Sequence, residues 1–214
     1  MSLEDRMIKI RTMGCSVPLK VIPGHFATNH SHINYYIDMT TLKTRQNEAK
    51  AIAQSFATKY SPIDVVDTIV CMDGCETIGT YMAEILSTMG VNSVNQHQSM
   101  YIVSPEYNSA GQMIFRDNIQ PMIQGKNILL LLASATTGKT INRCIECLDY
   151  YGGKITGISA IFSNVKQVEN YQIDSIFTGK DVPDYRAYKY SECPFCRSNQ
   201  KLHALVNSFG YSML

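Results

Sequence analysis

The sequence of 214 residues has no tryptophan, few charged side chains and no long apolar run. Charged residues make up 17% of the chain, against about 25% in an average soluble domain. The 19 Lys and Arg nearly balance the 18 Asp and Glu, for a net charge of +1, which disfavours a dedicated nucleic-acid binder or membrane-surface binder. The longest apolar run, residues 128–133, is far shorter than the roughly 20 residues that cross a bilayer.

The first residues also lack the apolar segment of a secretory signal, so we expect a cytoplasmic protein with no membrane partner. Hydrophobic residues reach 45%, which excludes a disordered chain. The length suits one α/β domain with a small extension. The seven cysteines are an odd number and indicate free thiols or a metal site in a reducing compartment.

Apolar strand-like segments alternate with segments of helical periodicity through the middle of the chain. We predict strands over 65–71, 127–132 and 155–162, and helices over 44–59, 78–89 and 140–151. This alternation predicts an α/β fold with a parallel central sheet and helices on both faces. Ligands of such sheets bind at the carboxyl ends of the strands.

The two ends of the chain have a different character from this core. Residues 12–45 begin with an irregular stretch rich in Gly, Pro and His, which an alternating strand over 33–38 follows. Residues 93–120 lack a regular period and predict a mobile loop. We divide the chain into an N-terminal segment, 1–45, a core, 46–180, and a C-terminal extension, 181–214.

The loop after the strand at 127–132 carries the strongest local signal. It consists of Ser134, Ala135, Thr136, Thr137, Gly138, Lys139 and Thr140. Backbone N–H groups of small residues can curl around an anion, and the N-terminus of the following helix adds partial positive charge. The loop therefore predicts a phosphate site, and a plain helix cap without a ligand is the alternative.

Two phosphate-binding families compete for this loop. Its spacing fits the P-loop of nucleoside triphosphatases if Ala133 replaces the first glycine, with Lys139 and Thr140 in the Lys-Ser/Thr positions. Against a P-loop hydrolase, the next strand, residues 154–162, has no Asp for magnesium.

The other family is that of the type I phosphoribosyltransferases. Residues 128–140 resemble the loop with which these enzymes bind phosphoribosyl pyrophosphate. Thr136, Thr137, Gly138 and Thr140 match the part that cradles the 5-phosphate. The family's two ribose-binding acids do not match, because Leu132 and Ala133 stand in their positions. In the family those carboxylates grip the ribose hydroxyls directly or through magnesium-bound water.

The resemblance covers most of the chain and looks closest to orotate phosphoribosyltransferases. Residues 67–79 are similar to the family's pyrophosphate-contacting turn, which here would be Asp73, Gly74, Cys75 and Glu76. Residues 26–38 look like the hood segment that holds the base, without its lysine. If this hood covers a base, Tyr35 or Tyr36 could stack on it, and ordinary strand aromatics are the alternative. His30 and His32 alternate in an extended segment, so both rings could face the cleft, and a surface or hydrogen-bonded histidine is the alternative for each.

The catalytic loop of the family, reading Arg-Lys-Glu-x-Lys-x-His-Gly, falls on residues 104–111 of this chain. Glu106 and Gly111 remain, but the basic residues, the catalytic lysine and the histidine are replaced. Phosphoribosyl transfer needs charge on both sides of a cation-like sugar, and each missing charged contact removes several kcal/mol of transition-state stabilisation. The resemblance therefore implies the fold more firmly than the catalysis.

Three functions stay open at this point. The first is an orotate-type transferase that uses phosphoribosyl pyrophosphate, with Mg²⁺ held by Asp73 or Glu76. The second is a family member without catalysis that senses a nucleotide or another phosphorylated small molecule, and the third is the P-loop hydrolase. Lys139 would strengthen phosphate binding in each case, and the family resemblance implies a homodimer.

A separate motif, Cys193-Pro-Phe-Cys196, has the spacing of half a zinc site. Its partners could be His203, one of His25, His30 and His32, or the same pair from a second subunit. Zn²⁺ is thus a candidate cofactor at Cys193 and Cys196.

Overall fold

The computed structural model describes residues 3–60, 65–88, 95 and 99–214. The helices are α1 (Thr40–Thr44), α2 (Gln46–Tyr60), α3 (Glu76–Thr88), α4 (Lys139–Tyr150) and α5 (Pro194–Arg197). The strands are β1 (Ile8–Ile10), β2 (Leu19–Ala27), β3 (His32–Asp38), β4 (Thr68–Cys71), β5 (Tyr101–Val103), β6 (Glu106–Tyr107), β7 (Met113–Ile114), β8 (Asn127–Ala135), β9 (Lys154–Ser163), β10 (Gln167–Val168), β11 (Tyr171–Thr178), β12 (Ala187–Tyr188), β13 (Ala204–Asn207) and β14 (Gly210–Met213). Within these residues, no helix is both long enough and apolar enough to span a bilayer.

The central sheet has the strand order β10-β11-β9-β8-β4-β5. All its pairings are parallel except that of β10 with β11. A parallel pair needs a crossover connection, and α4 supplies one between β8 and β9. The parallel central sheet predicted from the sequence is confirmed.

Helices cover both faces of this sheet, as predicted. Side chains of β8 alternate between the faces: Leu129 and Leu131 belong to one core with α2 and α3, whereas Leu130 and Leu132 belong to a second core with α4. Each of these leucines is fully buried, which stabilises the fold by about 2 kcal/mol apiece.

A second sheet joins the two ends of the chain, and we call it the hood–tail sheet. Its order is β12-β3-β2-β13-β14, and β1 also pairs with β2. The two ends of the chain meet in two pairings: β12 is antiparallel to β3, and β13 is parallel to β2, with Ala204 opposite Phe26. Phe26 packs in the same core as Phe56 and Ile69, so the hood–tail sheet closes over one side of the central layer.

The prediction of an irregular stretch is wrong for residues 19–27, which form β2. Pairing between β2 and β3 shifts register between Pro23 and Phe26. Proline has no N–H for the ladder and is tolerated in a strand at such an irregularity. Pro23 and Gly24 therefore mark a distorted strand.

Regular structure also occurs within residues 93–120, where the sequence predicts a mobile loop. Strands β6 and β7 form a hairpin, and the guanidinium of Arg116 donates to the Glu106 carboxylate at 2.8 and 2.9 Å. Residues 93, 94 and 96–98, and the helix stop predicted at residue 90, lie outside the described residues. Strand β11 was not predicted.

Candidate functional site

A cavity of about 690 Å³ lies where β4 and β8 end, beneath the hood–tail sheet. Its walls are the turn after β4, the loop after β8, the hairpin β6–β7, part of the hood and the tip of the hairpin β13–β14. Parallel strands place their carboxyl ends on one edge, so the turn after β4 and the loop after β8 meet there.

All seven residues of the predicted phosphate loop line the cavity: Ser134, Ala135, Thr136, Thr137, Gly138, Lys139 and Thr140. Strand β8 continues through Ala135, and α4 begins at Lys139. Gly138 has φ +77°, and a Cβ there would lie 2.8 Å from a methyl of Val168. Only glycine fits both the backbone conformation and the space, so the loop can bring its N–H groups close to a ligand.

Two cations lie on the cavity face of α4. Lys139 is its first residue, and Arg143 follows one turn later, on the same face. A cation at a helix N-terminus opposes the helix dipole, an arrangement that an anion bound at the loop would relieve. Sequence reasoning missed Arg143, although the i, i+4 spacing from Lys139 was a signal for it.

The turn after β4 is occupied by contacts within the chain itself. Asp73 has φ +59°, and Ser208, Lys43 and the backbone of Ala133 lie near enough to its carboxylate to favour the charged form. Burial raises the pKa of Asp73, and Ser208, Lys43 and the Ala133 amide oppose that rise. The Asp73 carboxylate thus links the turn after β4 to β8 and to the tail.

Lys43 completes this link from α1. Its side chain is buried, and Nζ donates to the carbonyl oxygens of Asp73, at 2.6 Å, and of Ser208, at 2.5 Å. The ammonium also lies 5.6 Å from the ring centroid of Phe209, at the tip of the tail hairpin. Nothing in the sequence near Lys43 marks it, because its partners are 30 and 165 residues away.

The other predicted residues of this turn have different surroundings. Gly74 and Glu76 line the cavity, and Oε1 of Glu76 accepts a hydrogen bond from the Ser104 hydroxyl at 2.6 Å. Cys75 is fully buried in the core, away from the cavity wall, and this burial raises the pKa of its thiol.

The four predicted hood residues separate into two groups. Tyr36 and His30 line the cavity, whereas Tyr35 and His32 do not. Tyr36 is 4% exposed, and burial, with the neighbouring Asp38, raises its pKa to about 12. The Tyr36 phenol is therefore neutral at physiological pH.

The positions of the family's acid pair hold Leu132 and Ala133, both fully buried in β8. Asp73 and Glu76 are the acidic residues among the described lining of the cavity. Magnesium prefers oxygen ligands and is usually held by one or two carboxylates and substrate phosphates. Leu132 and Ala133 offer no side-chain oxygen, and Asp73 is engaged, so these residues do not fit the family's magnesium and ribose site.

A second group of side chains lies at the other side of the hood–tail sheet. His25, His32, Cys193 and Cys196 each direct one nitrogen or sulfur atom to a common point, and these atoms lie within 4.8 Å of one another. The group could hold a metal ion. Of the alternatives that the sequence left open, it includes His25 and His32; His203 instead accepts a hydrogen bond from the His25 amide through Nδ1.

No protein-family model matches the chain, and no curated protein does. Among solved structures, it is similar to UMP synthase of Leishmania donovani, with a TM-score of 0.56 and 14% identity over 84% of this chain and 36% of that one. Orotate phosphoribosyltransferase of Mycobacterium tuberculosis H37Rv has a TM-score of 0.51 and 14% identity, over 76% of this chain and 91% of that one. Adenine phosphoribosyltransferase of Leishmania donovani has a TM-score of 0.51 and 12% identity, over 71% and 73%.

These similarities confirm the fold that the sequence resemblance implies. The chain has the type I phosphoribosyltransferase fold, and it spans little more than a third of the length of the UMP synthase. At such low identity the comparison concerns the fold alone.

Proposed function

We propose that this chain is an orotate phosphoribosyltransferase-like protein whose cavity binds a 5-phosphoribosyl ligand, either phosphoribosyl pyrophosphate or a nucleotide. Binding of this ligand does not require that the protein catalyse transfer. The observation that carries this proposal is the loop after β8. It combines a glycine at φ +77°, two threonines and a helix N-terminus on the wall of one cavity, in the fold of proteins that use such ligands. Lys139 and Arg143 add charge-assisted hydrogen bonds to a dianionic phosphate.

The ribose end of the cavity supports binding without the family's usual chemistry. Leu132 and Ala133 are fully buried and do not line the cavity, and the Asp73 carboxylate lies near Ser208 and Lys43 of the chain itself. We therefore expect binding that is indifferent to Mg²⁺. Binding of this kind, without catalysis, is what we expect of a sensor or regulator of nucleotide supply.

Transfer of the phosphoribosyl group to a nitrogenous base is the second candidate. It is favoured by Tyr36, an aromatic side chain on the hood side of the cavity, and by Asp73 and Glu76, two acids on the same cavity wall. An orotate-type transferase would need one of these carboxylates to support the ribose as positive charge develops on it.

Calorimetric titration tests both candidates. Phosphoribosyl pyrophosphate, orotidine monophosphate, orotidine, orotate and ATP are each titrated with and without Mg²⁺. We expect orotidine monophosphate to bind at least about tenfold more tightly than orotidine, since charge-assisted hydrogen bonds contribute about 1.5–3 kcal/mol. Equal affinities would refute the phosphate site.

The other outcomes separate the functions. Magnesium-dependent binding of phosphoribosyl pyrophosphate, with release of pyrophosphate when a base is added, would establish the transferase instead of the sensor. Binding of ATP with Mg²⁺ and of no ribosyl monophosphate would restore the P-loop hydrolase. The homodimer implied by the family resemblance also stays a proposal, which sedimentation equilibrium would test.

A further inference from the structure

We propose that His25, His32, Cys193 and Cys196 form a closed tetrahedral Zn²⁺ site that ties the C-terminal tail to the hood. None of these four residues lines the cavity of the proposed ligand site. Its role is structural, because four protein ligands leave no open position for substrate.

The strand pairing explains how the two histidines meet. Ala27 of β2 lies opposite His32 of β3, and His25 is two residues before Ala27. Because side chains alternate along a strand, His25 and His32 are diagonal neighbours on one face of the sheet. The turn at the start of α5 then delivers Cys193 and Cys196 to the same face.

All four ligand atoms lie within 4.8 Å of one another, and four of their six separations are close to those of a zinc tetrahedron. With Zn–N of about 2.0–2.1 Å and Zn–S of about 2.3 Å, neighbouring ligand atoms lie about 3.3–3.8 Å apart. His25 Nε2 is 3.1 Å from His32 Nδ1 and 3.4 Å from Cys193 Sγ. Cys196 Sγ is 3.7 Å from His25 Nε2 and 3.2 Å from His32 Nδ1. A set of two thiols and two imidazoles in this arrangement is typical of zinc.

The surroundings prepare the ligands for a metal. Nδ1 of His25 lies 2.9 Å from the Gln200 carbonyl oxygen, to which an Nδ1–H can donate, and this tautomer leaves the Nε2 lone pair free for the metal. His25 and Cys193 are 1% and 0% exposed. Thiols are weak hydrogen-bond donors, so a buried cluster of this kind gains much more from a metal ion than from its own hydrogen bonds.

The metal would act on the cavity through the tail. Directly after the site, the His203 amide donates to the His25 carbonyl at 2.8 Å, and β13 pairs with β2. The hairpin β13–β14 then carries Ser208 and Phe209 to the cavity wall. Zinc would thus fix one end of a segment whose other end contacts Lys43 and Asp73.

Metal analysis is the first test. We expect one zinc per chain in protein expressed with zinc, and the visible bands of tetrahedral cobalt–thiolate coordination after replacement by Co²⁺. Cys196→Ser and His32→Ala should lose the metal, whereas the matched controls Cys15→Ser and His30→Ala should retain it. Wild-type protein without stoichiometric zinc, with iron in its place, or with a Cys193–Cys196 disulfide would overturn the proposal.

Hydrogen exchange tests the role of the site without any ligand. After removal of zinc by a chelator from the wild-type chain, amides of β13 should exchange about tenfold faster or more, and those of β8 should be unchanged. Exchange in β13 that zinc removal does not alter would refute the tie between tail and hood. This result is read separately from the titrations, so failure of one proposal leaves the other standing.

Discussion

The turn after β4 and the loop after β8 end neighbouring strands of one sheet, yet they are built in opposite ways. The loop after β8 has small residues, a glycine that leaves space and two cations whose side chains face the cavity. The turn after β4 holds a buried acid, Asp73, whose carboxylate lies near Ser208, Lys43 and the backbone of Ala133. The first leaves its polar groups open to the cavity, and the second has its main polar groups in contact with the chain itself.

This difference shows that the two walls of the cavity depend on different contacts. Lys43 donates to the carbonyl oxygens of Asp73 and Ser208, so the turn after β4 is joined to the tail. The same contacts fix the tip of the hairpin β13–β14 at the cavity. The turn after β4 therefore stabilises the wall of the cavity, while the loop after β8 is the part that we propose binds the ligand.

Gly138→Ala should show the largest effect, because it breaks the loop after β8. A left-handed φ costs a residue with a side chain about 1–3 kcal/mol, and overpacking against Val168 adds about 1–3 kcal/mol. We expect unfolding free energy to fall by about 2–6 kcal/mol in denaturant titrations, with loss of phosphate-ligand binding. Gly125→Ala is the matched control, since Gly125 has φ +69° but open space around it; an equal loss of binding there would contradict the prediction.

Lys43→Met should be next, because it breaks the turn after β4. The variant leaves two carbonyl oxygens without their buried donor and removes the cation near Asp73. We expect a loss of about 2–3 kcal/mol in unfolding free energy. The exposed Lys180 provides the control Lys180→Met, for which a change within about 0.5 kcal/mol is expected. If both variants change stability equally little, Lys43 does not support the tail.

Lys139→Gln sharpens the comparison by removing charge without removing the loop. We expect stability to be unchanged and affinity for orotidine monophosphate to fall about three- to tenfold, as for loss of one exposed charge-assisted contact. The decrease should vanish when orotidine is the ligand. Lys180→Gln is the control, because it changes the net charge by the same amount. A similar loss of affinity for orotidine monophosphate in this control would show that net charge, and not contact with Lys139, causes the effect.

The position of the loop after β8 could be predicted from the sequence because its pattern is local, and its role in binding phosphate stays a prediction. Its amides, hydroxyls and helix N-terminus come from seven consecutive residues, and the apolar run before them marks the strand. The periodic segments likewise predicted α2, α4 and β9 to within two residues of their bounds. Local sequence patterns were therefore sufficient to predict these core elements and the position of one wall of the cavity.

The remaining site is made by contacts between distant residues. Lys43 meets Ser208 only because β13 pairs with β2, and no pattern in the sequence predicts that pairing. The partners of Cys193 and Cys196 were undecided for the same reason, since the choice among four histidines depends on the register of β2 and β3. That register could not be predicted, because it shifts at the distorted part of β2 between Pro23 and Phe26.

Asp73→Asn should have the smallest effect, which we expect as a change in how the melting temperature depends on pH. Because burial raises the pKa of Asp73 above its ordinary 3.8, the folded chain holds this proton more tightly than the unfolded chain. The resulting stability is fully present below pH 3.8 and is lost as pH rises through the higher folded value. Wild-type melting temperature should therefore fall relative to that of Asp73→Asn as pH rises across this window. Asp184→Asn, an exposed residue also at positive φ, should follow the wild-type curve; if Asp73→Asn follows it too, the Asp73 carboxylate is not held in a buried turn.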